Sequence, residues 1–188
     1  KPDYSADLAK KGKDKLSDYL EDWLAEYCYH NVRPNTYAGY FRNIKNHINP
    51  NIGQVPLNAV SGPILDKLYR QLLNEGYAPN TVKYIHRTIS VAMEHAMKYG
   101  YIESNPAKKT LTKFSGEVDI PQPYSVEQIK YLLDNVKDPQ WRFIIVMGGL
   151  YGLRRNEVLG LKWENVDLLN NQFAIVEQRA GFQAKRRS

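Results

Sequence analysis

Two arginines and a glutamate follow a glycine-rich apolar stretch. At their spacing, these side chains could bind an anion and take part in its chemistry. Arg154 and Arg155 come directly after the apolar run from Phe143 to Leu153, and Glu157 follows Arg154 by three residues. An arginine that emerges from an apolar segment is costly to bury unless it has an anionic partner. A guanidinium suits a phosphate because its fork donates two parallel hydrogen bonds and its charge is permanent. Three interpretations stand: a phosphate-binding arginine, a structural ion pair of Arg154 or Arg155 with Glu157, or a solvated helix N-terminus.

The elements around this arginine pair are predicted to be mainly helical. Ser125 and Gln128 have the spacing of a capping box at the start of one helix, and residues 140–151 form a second, apolar helix. After the arginines we expect an amphipathic helix that closes on Leu161 and Trp163. A turn at residues 169–172 and a short strand over residues 173–176 follow.

The first half of the chain reads as a bundle of four or five helices. Apolar residues recur at helical spacing over residues 14–29, 35–48, 62–75 and 80–99. Two of these helices begin alike, with Pro-Asn-Thr at Pro34 and at Pro79, which caps a helix that starts there. Their polar faces are candidate contacts to a duplex backbone or ordinary solvated faces, and they carry Thr36, Tyr40, Asn43, His47, Asn80, Lys83 and Arg87.

The composition excludes several classes of protein. The chain has 188 residues, of which 43% are hydrophobic, so it can bury one large core or two small ones. No apolar run approaches the roughly 20 residues that span a bilayer, and no signal peptide precedes the first helix, so a cytoplasmic location is the expectation. The single cysteine, Cys28, cannot form an internal disulfide. The four histidines lack metal-ligand spacing, so no zinc site is predicted.

The positive charge is concentrated in the middle of the chain. The formal net charge is +6. Residues 31–114 carry eleven basic and four acidic residues, a balance of +7, and residues 31–65 carry no acid at all. A basic segment of this kind favours a polyanionic partner, most often nucleic acid, although a basic domain can also be merely soluble.

These patterns divide the chain into four segments. Residues 1–13 are a polar arm, residues 14–105 a helical domain, and residues 106–123 a linker with three prolines. Residues 124–188 form a second domain. Lys108 and Lys109 lie in the linker, where they could also touch phosphates.

The arginine stretch resembles a known motif. Gly152-Leu153-Arg154-Arg155-Asn156-Glu157-Val158-Leu159-Gly160-Leu161-Lys162-Trp163 is similar to the first catalytic-arginine box of the tyrosine recombinases, the integrases of phages and transposons, which reads Gly-Leu-Arg-x-x-Glu-x-x-x-Leu-x-Trp. Shorter phrases at residues 36–40, 53–57 and 100–106 are also similar to that family. The resemblance implies a mainly α chain: a SAM-like core-binding domain of four or five helices, followed by the α+β start of a truncated catalytic domain.

The resemblance also implies a reaction and roles for particular residues. The family cuts and rejoins DNA through a 3′-phosphotyrosyl link, without a cofactor or a required metal. By position, Arg154 is the first catalytic arginine, Arg155 a backbone-phosphate or structural residue, and Glu157 a support. Lys185 is either the hairpin lysine or part of a plain basic tail. The implied partners are duplex DNA with inverted repeats and further copies of the chain, as a dimer to tetramer on DNA, with a two-lobed clamp as the expected arrangement.

The sequence departs from the family after Arg154. No His-x-x-Arg motif and no tyrosine occur after Tyr151, so we expect this polypeptide to bind DNA without cleaving it. Three hypotheses remain: a piece of an active integrase, a DNA-binding module that occupies a recombination site, and a helical protein–protein adaptor, against which the basic middle segment argues.

Overall fold

The computed structural model describes residues 12–114 and 122–176 and consists of two compact units, Lys1–Val118 and Asp119–Ser188. Both are mainly helical, as the sequence predicts. Residues 1–11 of the predicted arm at residues 1–13, and Lys185, lie outside the described residues.

The first two helices of unit 1 each contain a wider, π-helical segment. Helix α1 comprises Leu16–Asp22, the π-helical Trp23–Cys28 and Tyr29–Asn31. Helix α2 comprises Pro34–Asn43, the π-helical Ile44–Ile48 and Asn49–Ile52. A π-helical turn holds more residues than an α-helical turn, so the faces that follow it rotate relative to a regular 3.6-residue pattern.

Two regular helices complete the bundle. Helix α3 is Gly62–Asn74 and helix α4 is Pro79–Lys98, the longest element of the described chain. Both start with a proline in the first turn, where the missing N–H has no intrahelical partner to lose. Gly76 has φ +90° in the turn between them, a conformation that favours glycine.

The core of unit 1 consists of apolar residues predicted from the helical spacing. The buried side chains come from all four helices and include Leu16, Leu20, Trp23, Ile44, Ile48, Leu65, Leu72, Ile85, Ile89 and Met93. Two residues that the helical spacing predicts to be in the core are partly exposed: Tyr27 is 38% exposed and Phe41 is 44% exposed. Tyr27 lies within the π-helical segment of α1, and Phe41 lies three residues before that of α2.

Residues 106–114 pack on the helical bundle of unit 1, although the sequence predicts a linker over 106–123. Pro106–Lys109 form a 3₁₀ turn in which Pro106 and Ala107 are buried. Asn105 caps this turn by accepting a hydrogen bond from the Ala107 N–H. Phe114 contacts the rings of Tyr69 and His86, with centroids 5.4 Å and 5.2 Å away. An apolar ring and a cap therefore extend the folded unit beyond residue 105.

Unit 2 begins with two capped helices. Helix α5 is Val126–Asn135, and the predicted capping box between Ser125 and Gln128 is present. Helix α6 is Pro139–Gly149, and its cap Asp138 accepts a hydrogen bond from the Gln140 N–H at 2.7 Å. A Cβ on Gly149 would lie 3.3 Å from the Ile129 side chain, so the two helices pack closely at this glycine.

The elements after α6 are shorter than the sequence predicts. Helix α7 is only Arg155–Val158, and a 3₁₀ turn at Trp163–Asn165 leads into strand β1, Val166–Asp167. Strand β2 is Gln172–Phe173 and pairs with β1 in antiparallel register. The expected amphipathic helix does not reach Trp163, whose side chain is 83% exposed.

The described residues contain neither a candidate membrane span nor a candidate metal site. None of the helices described has the length and apolar character needed to cross a bilayer. Among the same residues, no three histidine, cysteine, aspartate or glutamate side chains are grouped so that they could hold a metal ion.

Candidate nucleic-acid interface and arginine box

Helices α2 and α4 approach each other closely at Gly39. A Cβ on Gly39 would lie 2.5 Å from the hydroxyl oxygen of Tyr84, so a larger residue there would require the Tyr84 side chain to move. Tyr40, one residue further along α2, is half-buried against Trp23, with ring centroids 5.3 Å apart. Burial raises the pKa of Tyr40. The positive charge of Arg87, on α4, acts on the same hydroxyl in the opposite direction, so Arg87 lies near this ring.

Helix α4 presents an exposed polar stripe beside this contact. Asn80, Lys83 and Arg87 are all exposed, as the sequence predicts from their spacing. Neither Lys83 nor Arg87 forms a salt bridge within the described part of the chain. Tyr84 is 41% exposed and lies on the same stripe. The sequence analysis does not select Tyr84, although its spacing from Asn80 and Arg87 is the signal that could have found it.

Asn43 is placed differently from the prediction of a DNA-facing residue. It is 7% exposed, and its Nδ2 donates a hydrogen bond to Thr88 Oγ1 at 2.8 Å. Asn43 therefore joins α2 to α4 inside the bundle. Of its predicted neighbours on α2, Thr36 is half-buried and the ring of His47 packs edge-on against Tyr77 at 5.0 Å.

Lys108 and Lys109 are exposed but already have partners. Lys108 Nζ lies 2.7 Å from Glu94 Oε2, and Lys109 Nζ donates to Ser104 Oγ at 2.9 Å. The hydrogen bond from Lys108 lowers the pKa of Glu94, and a second one from Asn105 adds to this effect. A phosphate would have to compete with Glu94 for Lys108.

The arginine box of unit 2 is held together by Glu157. Its Oε2 accepts a hydrogen bond from the Arg154 backbone N–H at 2.8 Å, and its Oε1 lies 3.2 Å from Arg154 Nη1. The Glu157 side chain is only 11% exposed, whereas that of Arg154 is 84% exposed. The structural ion pair suggested by the sequence is thus present, and it leaves most of the guanidinium open to solvent.

The backbone before the box explains why Arg154 points outward. Gly152 has φ +70°, a turn conformation that a residue with a Cβ rarely adopts. The Leu153 N–H then donates to the carbonyl of Met147 at 3.0 Å, which ties the turn back to α6. Arg154 follows with an extended backbone and precedes α7, where Arg155 is exposed at the first position.

An anchored, exposed guanidinium can bind an oxyanion. Arginine has five N–H donors in a fixed fork, and Glu157 engages Nη1 of Arg154. The remaining donors can form charge-assisted hydrogen bonds to a phosphate without reorganising the side chain. The stripe on α4 could contact a polyanion in the same way, with Lys83 and Arg87 as its cations. The structure describes these two sets of residues in separate units.

Comparisons with known proteins agree with the fold. Residues 15–73 match the family described as "Phage integrase, N-terminal SAM-like domain". A tyrosine recombinase XerC-like protein of Caldanaerobacter subterraneus subsp. tengcongensis is 24% identical over 166 residues, which cover 85% of this chain and 42% of that protein. The chain spans about two fifths of the length of the curated relatives it matches.

Two solved structures share the architecture. The integrase of the Tn1549 transposon, in complex with circular intermediate DNA, gives a TM-score of 0.73 at 20% identity and covers 87% of this chain and 54% of its own. A lambda integrase tetramer bound to a Holliday junction gives a TM-score of 0.71 at 17% identity, and the match covers 89% of this chain and 49% of the lambda chain. The resemblance stated from the arginine box is confirmed. Residues 15–73 thus match a phage-integrase SAM-like domain, and most of the chain is similar to tyrosine recombinases.

Proposed function

We propose that this chain binds duplex DNA at a recombination site and serves in site-specific recombination by a tyrosine recombinase. The observation that carries the proposal is the exposed Lys83–Arg87 pair on α4 of a SAM-like domain, beside α2 and without a competing carboxylate on either cation. Tyr40 and Tyr84 at the seam between the helices, and Thr36 and Asn80, add groups that can hydrogen-bond to phosphate oxygens.

Two further features support DNA as the partner. Residues 31–65 carry no acid, so α2 adds no repulsion toward a phosphate backbone. The integrases of similar fold were solved on DNA, as a dimer and as a tetramer in the lambda complexes. We infer that this chain also acts in more than one copy on its site.

Arg154 has the role of the first catalytic arginine in this proposal. Glu157 positions it, while Arg155, Lys108 and Lys109 are proposed contacts to the DNA backbone. Lys185 is proposed as the hairpin lysine by its sequence alone. Because no tyrosine follows Tyr151 in the sequence, we expect this polypeptide to bind without forming a covalent link to DNA. A non-catalytic module that occupies the site is the second candidate function.

The test is a binding titration on duplex DNA that carries an inverted repeat, at two salt concentrations. We expect K83E/R87E to weaken binding by at least about tenfold at low salt, because two phosphate contacts turn into repulsions. The matched control is K15E/K67E, which reverses two exposed lysines of the same unit that lie on neither α2 nor α4. Equal losses in both variants would contradict the α4 stripe as the interface.

A denaturing gel of the same samples separates the two candidate functions. An absence of any protein–DNA adduct, together with salt-sensitive binding, agrees with a chain that only occupies the site. A covalent band would contradict the expectation that this polypeptide cannot cleave. No binding at either salt concentration would favour the protein–protein adaptor instead.

A further inference from the structure

A shallow groove between α1 and α2 of unit 1 is not used by the proposed function. It has a volume of about 500 Å³, and the buried Leu24 and Ile44 form an apolar floor. Phe41, which is 44% exposed, lines its α2 side. Gly39 and Asn43, through which α2 contacts α4, lie about half a turn around the helix from Phe41. The α1–α2 groove therefore uses a separate face of α2.

Helices α1 and α2 form a hairpin, so particular residues of the two helices face each other across this groove. Val32 and Arg33 alone separate the helices, and so short a connection makes neighbouring helices antiparallel. Next to the turn, the Tyr29 and Tyr37 rings contact each other with centroids 6.0 Å apart. Two further pairs lie at equal distances from the turn, and their members all line the groove: Ala25 with Phe41, and Glu21 with Lys45.

The two rims of the groove carry opposite charges. Glu21 of α1 and Lys45 of α2 are both exposed, and α2 contains no acidic residue. Neither Glu21 nor Lys45 forms an ion pair within the described part of the chain. The Lys45 ammonium group instead lies 5.7 Å from the centre of the Phe41 ring. One exposed acid and one exposed base thus flank an apolar floor.

A pattern of this kind is complementary to itself. If a second copy is rotated by a half turn about an axis along the groove, α1 of each copy lies over α2 of the other. Glu21 of one copy then meets Lys45 of the other, and the symmetry repeats the contact. One helical turn further along, Phe41 of each copy meets the exposed Ala25 of the other, whose small side chain leaves room for the ring. Charge and shape therefore both favour a second copy of this chain as the occupant.

We propose that the α1–α2 groove is a contact between two copies of this chain. The proposal rests on the proposed action of the chain in more than one copy on DNA. The eight residues that line the groove are fewer than the roughly 20–30 per side of a stable interface, so free chains should stay monomeric. Two copies on adjacent half-sites are held at a high effective concentration, and there the contact makes DNA binding cooperative.

Disulfide trapping tests the register of this contact without DNA, because a disulfide captures even transient encounters. One preparation of the full chain carries Glu21→Cys and a second carries Lys45→Cys, while the native Cys28 is buried. In a mixture of the two, we expect the mixed dimer to exceed either dimer of like chains at least about fivefold. The control mixes Glu75→Cys with Lys67→Cys, two exposed positions of unit 1 outside the groove, and should give the random distribution. A random distribution in the test mixture as well would contradict the proposal.

Charge reversal tests the same contact on DNA. The probes are a duplex with both copies of the inverted repeat and a duplex with a single copy. Glu21→Lys alone and Lys45→Glu alone should each lower the cooperativity on the first duplex at least about fivefold, because like charges then meet. An equal mixture of the two variants should restore cooperativity, since both contacts of a mixed pair again join opposite charges. A change within one chain could not be rescued by mixing.

The other outcomes also decide. A strong loss of binding to the single repeat in Lys45→Glu would show that Lys45 faces DNA, which would overturn the interface. Undiminished cooperativity in both single variants, or a mixture that does not recover, would overturn it too. If the unaltered chain binds neither duplex, the proposed function is wrong, and the disulfide yields still decide whether two copies meet at this groove.

Discussion

Asp66 in α3 accepts hydrogen bonds from both the backbone N–H and the hydroxyl of Thr112, which lies 46 residues further along the chain. The Leu111 N–H donates to the same carboxylate at 3.0 Å. One acidic side chain thus attaches the segment after the 3₁₀ turn to unit 1. This contact explains why residues 110–114 follow a fixed path in a stretch that the sequence predicts as a linker.

Removing the charge of Asp66 should release this segment. Burial acts to raise the pKa of Asp66, but the hydrogen bonds from Thr112 and Leu111 outweigh it, so the net shift is downward. We expect Asp66→Asn to reduce the free energy of local opening at Leu111 and Thr112 by about 1–3 kcal/mol, measured by amide hydrogen exchange. Thr112→Val, which removes only the hydroxyl, should cost less. Equal protection in wild type and Asp66→Asn would contradict the role of the carboxylate.

The same contact should depend on pH. A carboxyl group whose folded pKa lies below its ordinary value of 3.8 stabilises the folded state when ionised. Its contribution is complete well above pH 3.8 and is lost as the pH falls below that value through the folded pKa. The protection of the Leu111 and Thr112 amides, corrected for intrinsic exchange, should therefore be constant from pH 7 to about 5 and fall below pH 4. In Asp66→Asn this fall should be absent.

The hydrogen bond between Asn43 and Thr88 should contribute to stability and not to DNA binding. Both side chains are buried, so Thr88→Val leaves the Asn43 amide without a partner at a cost of about 1–3 kcal/mol in the free energy of unfolding. A double-mutant cycle with Asn43→Leu should show strong coupling, because the second change removes the unpaired amide. DNA affinity should stay near that of the wild type wherever the fold is intact. A selective loss of DNA binding would restore Asn43 as an interface residue.

Asn43 also shows what the sequence could and could not predict. The apolar spacing that selects Ile44, Ile48, Ile85 and Ile89 for the core is confirmed, because burial of large aliphatic side chains follows the helical period. A polar residue at the edge of that apolar stripe can face solvent or a buried partner. The position of Thr88 on another helix decides between these two outcomes. The spacing of residues within one helix contains no information about that position.

At two places the structure departs from what the sequence predicts, and both departures have the same origin. The tryptophan of the arginine box is exposed at residue 163, and residues 106–114 pack on unit 1. In both places the local sequence pattern is compatible with more than one outcome, and in the second place distant contacts determine the result. For residues 106–114 these contacts are the Asp66 carboxylate and the Tyr69 ring. The ion pair between Arg154 and Glu157 could be predicted, since three residues separate them and the contact is local.

Glu157 should hold the arginine box together more strongly than a surface ion pair does. Glu157→Gln removes the negative charge of the group that accepts a hydrogen bond from the Arg154 N–H. We expect the free energy of local opening at the Arg154 amide to fall by about 1–3 kcal/mol. The matched control is Glu164→Gln, since Glu164 pairs with Lys162 at 3.5 Å with 70% of its side chain exposed. Exposed pairs of this kind contribute about 0–1 kcal/mol. Similar effects of both substitutions on hydrogen exchange would contradict the supporting role of Glu157.

Glu94 should limit the affinity of the α4 stripe for DNA. It is the acid nearest to this stripe along α4, seven residues after Arg87, and it holds Lys108 at 2.7 Å. Glu94→Gln keeps an acceptor for Asn105, removes a negative charge and frees Lys108 for a phosphate. We expect DNA to bind roughly two- to tenfold more tightly at low salt, with a smaller gain at high salt because screening weakens both effects. Glu75→Gln, an exposed acid at the end of α3, is the control and should change little. If Glu94→Gln binds no better than this control, then Lys108 and the C-terminal half of α4 lie outside the interface, and contacts to DNA are confined to the first two turns of the helix.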